Sequence, residues 1–280
     1  MANYTTADIK ALRERTGAGM MDVKRALDES GGDAEKALEI IRIKGLKGIA
    51  KREGRATSDG LVAIEVADGP DGQVGTLVEV NSETDFVAKS PVFVALADKV
   101  LAQAVAQGTQ DVAALLESEV EPGLTLQNAV DQVQAALGEK LQVRRVAVVR
   151  GDHVTSYLHK TNKDLPPQVG VLVATDAPGL KAAKDIAMHI AAYSPTFLSE
   201  ADVPAETVDN ERRVAEEIAR NEGKPEGAIP KIVEGRLGGF FKENVLLNQA
   251  YAKDGKLTVA QVLKEVDGQV TGFARFRVGA

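Results

Sequence analysis

The feature that most constrains the fold of this chain is an internal repeat. Residues 73–80 (QVGTLVEV) are matched by residues 168–175 (QVGVLVAT), and both octapeptides are typical of β-strands. Each is the second member of a strand pair and is followed by an alanine-rich helical run, 92–107 in one copy and 180–192 in the other. Two sheet-plus-helix units of the same design predict an α+β fold with a two-part core.

The first half of the predicted core opens with a β-hairpin. Strand-like runs at 61–66 and 74–80 flank residues 68–72 (DGPDG), which have the composition of a tight turn. In the second half, the run at 154–159 pairs with the repeat strand. The remaining core elements are predicted as helices at 111–117, 125–137 and 258–265 and as strands at 141–149 and 270–278.

Residues 5–55 are predicted to form a small unit of three helices. Thr5 has an aspartate three residues further on, as in a capping box, and residues 16–19 (TGAG) end the first helix. The second helix is predicted at 20–29. Asp33 caps the third helix, in which apolar residues recur at helical spacing.

The stretch from 42 to 55 is strongly basic, with six lysine and arginine residues against one acid, Glu53. It is predicted to contain the end of the third helix and a glycine-containing linker. A basic run is usually a solvent-exposed face, and contact with nucleic acid is the alternative. The net charge of −7 argues against that alternative, because phosphate binding needs a basic field. No direct nucleic-acid partner is therefore expected.

Two further helices are predicted at 204–222 and 228–244. Each carries one apolar seam between charged flanks, and a short turn at 221–225 (NEGKP) lies between them. This pattern predicts an antiparallel helical hairpin of the coiled-coil type. The chain is thus divided into a three-helix domain with its basic linker at 1–55, a first core half at 56–150, a second core half at 151–203 and 246–280, and the helical hairpin at 204–245.

Composition excludes several classes of function. The chain has no cysteine, so disulfides, cysteine-ligated zinc and thiol catalysis are ruled out. The N-terminus shows neither a basic nor an apolar segment of a secretory signal, and no apolar run is long enough for a membrane span. A cytoplasmic protein with no membrane partner is therefore expected.

Groupings typical of catalysis are also absent from the sequence. No phosphate-binding loop of the GxxxxGK[ST] type is present, and the three histidines, His153, His159 and His189, lack metal-ligand spacing. His189 lies in an apolar helix and is predicted to be a buried structural residue, whereas His159 ends a strand beside a polar loop and is a candidate surface contact. The pattern favours a protein that acts by binding, with no cofactor and no metal.

Residues 81–90 (NSETDFVAKS) form the most unusual turn in the chain. Polar residues predict that the backbone leaves the sheet here, and Thr84 or Asp85 can cap a helical turn. Phe86 either packs under its own loop or is presented outward with Asp85 to a partner. The second repeat has DAPG at 176–179 in the corresponding place, so the repeated scaffold does not require this turn.

Two stretches carry a resemblance to a known family: residues 12–24 (LRERTGAGMMDVK) and 84–89 (TDFVAK). Shorter matches support them at 144–146 (RRV), 186–191 (IAMHIA), 234–236 (EGR) and 271–276 (TGFARF). With these motifs, the chain closely resembles the bacterial elongation factor Ts family. Members of that family are guanine-nucleotide exchange factors of the GTPase elongation factor Tu and are not enzymes.

The resemblance implies a UBA-like three-helix N-terminal domain, a two-part core and a coiled-coil hairpin. It also implies that the chain binds elongation factor Tu and promotes GDP release by disturbing the magnesium and phosphate site. The partner-binding residues it implies in the magnesium-dislocating turn are Thr84, Asp85, Phe86 and Val87. Further implied contacts are Met20, Met21, Lys24, Leu137, Gly138 and His159.

The chain departs from the family pattern in two places. The loop at 160–167 after His159 is longer and contains proline, and the chain stops at Ala280 without the C-terminal helical module of some members. Two other functions stay open. One is an interaction scaffold whose hairpin, 208–240, is the working part. The other is a metal-dependent hydrolase that uses Glu83, Asp85 and a histidine.

Overall fold

The computed structural model of the chain describes residues 3–16 and 18–280, with residues 45–51 described by their backbone alone. Helices contain 50% of the residues and strands 26%. The mixed helix-and-strand composition predicted from the sequence is confirmed. Two repeated halves form the centre of the molecule, with a helical unit before them and a helical hairpin inserted in the second.

Three helices precede the core: α1 (Thr6–Thr16), α2 (Met20–Glu29) and α3 (Ala34–Arg52). The predicted break between α1 and α2 includes Gly17, which lies outside the described residues. The Asp33 carboxylate accepts hydrogen bonds from two N–H groups in the first turn of α3, so the predicted cap is confirmed. The helices enclose a small apolar cluster that includes Leu12, Val23, Leu27 and Ala37.

The basic stretch is more helical than the sequence predicts. The α3 helix continues through Gly45 and Gly48 and ends at Arg52, so the linker is limited to 53–58. A glycine inside a helix destabilises it by about 1 kcal/mol relative to alanine, which weakens a helix without ending it. The side chains of Lys47 and Lys51, which the prediction included in the basic run, lie outside the described residues.

The first half contains a long hairpin of β1 (Asp59–Gly69) and β2 (Gly72–Ser82). A short helix α4 (Asp85–Ala88) and a long helix α5 (Pro91–Gln107) follow. Next come α6 (Val112–Glu117), the two short strands β3 (Glu119–Glu121) and β4 (Leu124–Thr125), the helix α7 (Leu126–Leu137) and the strand β5 (Leu141–Gly151).

The second half repeats this order with a hairpin of helices inserted. It begins with β6 (His153–His159), β7 (Val169–Thr175) and α8 (Leu180–Tyr193). The inserted helices are α9 (Ala205–Asn221) and α10 (Ile229–Asn244). The half closes with β8 (Ala250–Tyr251), β9 (Asp254–Thr258), α11 (Val259–Glu265) and β10 (Val270–Arg277).

Each half builds one antiparallel three-stranded sheet, in the order β1-β2-β5 and β10-β7-β6. The two octapeptides of the sequence repeat are the central strands, β2 and β7. The repeat also extends further than the sequence indicated. A short hairpin and a helix precede the third strand in both halves, and Thr125 and Thr258 cap these helices in the same way.

The two sheets pack face to face, and helices cover their outer faces. Leu77 of β2 and Leu172 of β7 are both fully buried between the sheets. The glycine two residues before each leucine makes room for the leucine of the other sheet, since a Cβ on Gly75 would lie 2.7 Å from Leu172 and one on Gly170 would lie 2.8 Å from Leu77. The packing therefore follows the approximate twofold symmetry of the repeat.

The α9–α10 hairpin has an apolar seam of its own. Ala215 and Ala219 of α9 pack against Ile229, Val233 and Leu237 of α10. Ion pairs on its flanks include the Arg236 guanidinium, 3.0 Å from the Glu222 carboxylate. The bounds of both helices agree with the predicted hairpin to within one residue.

Candidate functional site

The turn that follows β2 is a short capped helix. The Thr84 hydroxyl accepts a hydrogen bond from the N–H of Val87 at 3.4 Å, and the Ser82 hydroxyl donates to the carbonyl oxygen of Thr84 at 3.0 Å. Val87 and Ala88 point inward and join the apolar core of the first half. The inward residues fix the turn, so the residues between Thr84 and Val87 are directed to the outside.

Phe86 is 73% exposed, the highest exposure among the large hydrophobic residues of the described chain that lie outside the core. The interpretation of Phe86 as a plug under its own loop is therefore wrong, and its outward orientation is confirmed. The Asp85 side chain is also half-exposed. The Lys89 ammonium lies 3.7 Å from the Asp85 carboxylate and 4.7 Å from the centre of the Phe86 ring. One cation thus contacts both outward side chains.

Glu139 anchors this turn to a distant loop. Its carboxylate accepts hydrogen bonds from the Thr84 N–H at 3.0 Å and from the Thr84 hydroxyl at 2.6 Å. Glu139 follows Leu137 and Gly138, where α7 ends with Gly138 in the left-handed region at φ 76°. The structure therefore brings together two of the predicted contact points, the Thr84–Val87 turn and Leu137–Gly138.

Glu83 connects the same turn to the linker of the N-terminal unit. Its carboxylate, largely buried, accepts the Lys140 N–H at 2.6 Å and lies 3.2 Å from the Arg55 guanidinium. The Lys140 ammonium donates to the carbonyl oxygen of Glu53. The linker, the 137–140 loop and the turn are thus held at one point of the molecule.

The N-terminal helices face the same loop across a cleft of about 370 Å³. Gly19 lines the cleft on one side, and Leu137 and Gly138 line it on the other. Met20 and Met21, the next residues along α2, are 57% and 59% exposed, and Lys24 is exposed on the same helix. These residues complete what we call the turn surface: Met20, Met21, Lys24, Asp85, Phe86, Leu137 and Gly138.

His159 lies at the same end of the sheet sandwich but on the second half. Its carbonyl oxygen accepts the Gln168 N–H at 3.0 Å, and the adjacent Pro167 accepts from Val62 at 2.9 Å. Val62 is three residues from Asp59, which is paired with Ser82 at the start of the turn. The imidazole is exposed, with Nδ1 3.1 Å from the Tyr157 hydroxyl. The predicted contact residues therefore share one end of the molecule.

A second carboxylate lies near Asp85. Partial burial, and then the charge of Asp85, raise the pKa of Asp59 above its ordinary value. Lys89 is the cation that contacts Asp85 directly. Asp59 and Asp85 are therefore close enough for their charges to interact.

Within residues 3–16 and 18–280, histidine, aspartate and glutamate side chains form no group of three or more that could hold a metal ion. In that same part of the chain, each helix is too short or too polar for a membrane span.

Sequence reasoning missed the residues that hold the turn surface in place. Glu139 and Lys140 are 55 and 57 residues from their partners at the turn, and Arg55 is 28 residues from Glu83. Contacts at such separations leave no spacing pattern in a single sequence. The one available signal is position, because Glu139 directly follows two residues that the family resemblance had indicated.

The turn surface exposes several large apolar side chains, Phe86, Met20 and Met21, among charged ones, and such a surface is a feature of proteins that bind other proteins. Comparison with known proteins identifies the family. A family model described as Elongation factor TS matches residues 83–280. Elongation factor Ts of Beutenbergia cavernae is 64% identical over 282 residues, and the match covers 100% of both chains.

Two further relatives are equally similar. The chain is 64% identical to elongation factor Ts of Renibacterium salmoninarum over 283 residues and 64% identical to that of Micrococcus luteus over 282 residues, with 100% of each chain covered. The chain belongs to the elongation factor Ts family, whose members are translation elongation factors.

Proposed function

We propose that this chain is a guanine-nucleotide exchange factor for elongation factor Tu. It binds the GDP-bound GTPase and promotes GDP release by disturbing the magnesium and phosphate site, so that GTP can reload. The observation that carries the proposal is the exposed Phe86 on a turn anchored at both ends, in a chain of the elongation factor Ts family. The compartment proposed for this protein is the cytoplasm, together with its partner.

Exchange of this kind needs no nucleophile, because it is negative coupling between two ligands of one GTPase. The exchange factor binds the opened form of the GTPase more tightly than the closed form. The binding of GDP and magnesium is weakened by the same free energy. Burial of a phenylalanine side chain contributes roughly 1.5–3 kcal/mol, which corresponds to about one to two decades of affinity. Phe86 gains this energy only if the partner opens a slot for it.

The structure of the turn favours this use of Phe86. Thr84 is fixed by the Glu139 carboxylate and caps the helical turn, and Val87 is buried beneath it. A backbone that is already held in position loses less conformational entropy when the side chain it carries binds a partner. Asp85 presents a carboxylate next to Phe86. A carboxylate in this position can compete with the ligands of a magnesium site or repel them.

The rest of the molecule extends the interface. Met20, Met21, Lys24, Leu137 and Gly138 contribute contacts beside the turn, and His159 contributes one from the second half. The three-helix unit, proposed to be UBA-like, and the α9–α10 hairpin, proposed to be a coiled coil, add further area. The proposed units are 1–55, 56–150, 151–203 with 246–280, and 204–245.

The direct test is the release of a fluorescent GDP derivative from elongation factor Tu, followed by stopped flow with and without this protein. The wild-type chain accelerates release. Phe86→Ala slows the accelerated rate by about one to two decades, because the energy of burying the ring is lost. Thermal melting of the variant stays close to wild type, since the ring has few contacts in the free protein.

Leu180→Ala is a matched control for loss of an exposed apolar side chain. Leu180 is 45% exposed at the start of α8, which lies at the end of the sandwich opposite to His159. This variant should accelerate release as well as wild type does. Equal acceleration by Phe86→Ala and Leu180→Ala would show that the turn is not the part that displaces GDP.

A further inference from the structure

A cavity of about 620 Å³ lies away from the turn surface, along the edge formed by β5 and β10. One wall is β10 from Thr271 to Arg275, another is the segment 194–198 that follows α8, and Arg145 of β5 reaches in from the first half. No residue of the turn surface lines this cavity. Its volume is within the range of sites that bind small molecules, roughly 300–1,000 Å³.

The wall at 194–198 is fixed before any ligand binds. Ser194 turns the chain out of α8 with φ 52°, and its N–H donates to the carbonyl oxygen of Ile190 at 3.0 Å. The N–H groups of Thr196 and Phe197 both donate to the carbonyl oxygen of Asn244 at 2.9 and 3.1 Å. These backbone hydrogen bonds therefore hold this wall of the cavity in place.

Arg275 is the group in this cavity without a matching charge. Its guanidinium makes two long hydrogen bonds, 3.4 and 3.2 Å, and both go to the neutral carbonyl oxygen of Ala191. Among the described residues, no carboxylate lies within ion-pair distance of it. Since a guanidinium carries five N–H donors, several stay available to a ligand.

Further positive charge lies beside Arg275. Burial, and then the charges of Arg277 and Arg145, lower the pKa of Arg275. Arg145 has its own partner, the buried Glu79, at 2.5 Å and is stacked on Phe276. The neighbouring guanidinium groups therefore repel one another, and an anion placed between them would relieve that repulsion.

The other groups of the cavity suit a phosphorylated ligand. Ser194, Thr196 and Thr271 line it, and their hydroxyls have no protein partner in the described part of the chain, while Phe273 contributes an apolar side chain to the lining. Among the described lining residues the one acid is Asp202, which already accepts hydrogen bonds from the N–H and hydroxyl of Ser199. Planar guanidinium groups match phosphate in bidentate geometry.

We propose that this cavity is a binding site for a small phosphorylated molecule, with Arg275 as its principal contact and Arg145 and the three hydroxyls as supporting donors. The site is independent of the proposed exchange activity, because the turn surface lies elsewhere on the molecule.

The test is calorimetric titration of the full chain with inorganic pyrophosphate at constant ionic strength, so that general screening is the same throughout. Saturable binding of one pyrophosphate per chain is expected. Arg275→Gln weakens it by about tenfold or more, as the loss of a charged hydrogen-bond donor does. Arg150→Gln, which removes the same charge from an exposed position on β5 outside the cavity, leaves binding unchanged.

If Arg275→Gln folds poorly, the NMR amide resonances of the wild-type chain provide a second test. Pyrophosphate should shift the amides of 194–198 and 271–275. Absence of saturable binding overturns the proposal, and so do shifts confined to other basic regions, such as the linker near Arg55. Equal weakening by Arg150→Gln and Arg275→Gln would also overturn it, since it would mean that only net charge matters.

Discussion

At the scale of single residues, the orientation of Phe86 depends on groups that surround it and not on its own preference. A helix of four residues is not stable alone, because so short a segment cannot repay the nucleation of its first turn. The carboxylate of Glu139 and the buried side chain of Val87 supply the missing stabilisation. An exposed aromatic ring in this position is therefore a product of tertiary contacts.

His189 contrasts with Phe86, because it is a polar residue that is fully buried. Its Nδ1 accepts the N–H of Ala252 at 3.2 Å, and its Nε2 lies 2.8 Å from the side-chain oxygen of Gln249. Nε2 must therefore carry the proton of a neutral ring. The ring also stacks on Tyr193 with centroids 4.7 Å apart. The prediction of a satisfied structural histidine is confirmed.

This burial predicts a pH dependence of stability. Burial lowers the pKa of His189, and its hydrogen bond with Gln249 opposes that shift only in part. The unfolded histidine has a pKa of about 6.5, so the unfolded chain takes up a proton first as the pH falls. The stability contributed by His189 is complete above about pH 6.5 and is lost as the pH falls towards the lower folded pKa.

Urea denaturation of wild type and His189→Gln measures this effect. The variant is less stable at neutral pH, because a glutamine fills the site imperfectly, but the difference between the two proteins shrinks from about pH 7.5 to about pH 5. The same substitution at the exposed His159 controls for the change of side chain. A difference between wild type and His189→Gln that stays constant over this range would contradict the argument.

At the scale of elements, the two glycines of the repeat determine how closely the sheets pack. A methyl group on Gly170 would lie 2.8 Å from Leu77 and 3.1 Å from Val62, both in the opposite sheet. Neither neighbour can move freely, because both are fully buried. The repeat therefore retains a glycine two residues before each central leucine for reasons of packing.

Gly170→Ala should destabilise the fold by roughly 1–3 kcal/mol, the usual effect of overpacking a core. Urea denaturation gives the free energy of unfolding. The matched control is Gly272→Ala on β10, where nothing lies within 4 Å of an added methyl. This control should be neutral or slightly stabilising, since alanine restricts the unfolded chain. Equal stabilities of the two variants would show that the sheets separate easily.

The elements also show which parts of the fold a sequence can predict. The helices and long strands have a clear period, and α2 matches its predicted range fully while the ends of α5, β7 and the hairpin helices differ by a residue or two. The short strands β3, β4, β8 and β9 were missed, because two to five residues carry no period. They are stabilised by the cores around them and not by their own sequence.

The candidate site also has residues that the sequence can predict and residues that it cannot. The composition of the turn and its absence from the second repeat identified residues 81–90 as unusual, and the resemblance indicated the outward direction of Phe86. Neither could indicate Glu139 or Arg55, whose partners lie far away in the chain. The sequence therefore predicts the surface residues, whereas their supports become visible only once the chain is folded.

At the scale of the whole molecule, several units converge on one end of the sheet sandwich. The linker of the N-terminal unit, the 137–140 loop and the turn are all tied to Glu83 or Glu139. Gly19, the residue before the exposed methionines of α2, lines one side of a cleft whose other side includes Leu137. Glu83, through Arg55, and Lys140, through the Glu53 carbonyl oxygen, are thus two of the contacts that hold the N-terminal unit in register with Phe86.

Glu83→Ala should therefore loosen the linker while the turn, still held by Glu139, stays formed. Without its carboxylate partner, Arg55 is released, and amides at 52–58 should exchange hydrogen about tenfold faster, as expected when a charged hydrogen bond is lost. In the GDP-release assay, half-maximal acceleration needs more protein, but the maximal rate changes little because Phe86 is still presented. Glu65→Ala, at an exposed position on β1, is the control and should alter neither measurement. A Glu83→Ala variant that lowers the maximal rate while linker protection stays intact would mean that Glu83 supports the turn itself and not the N-terminal unit.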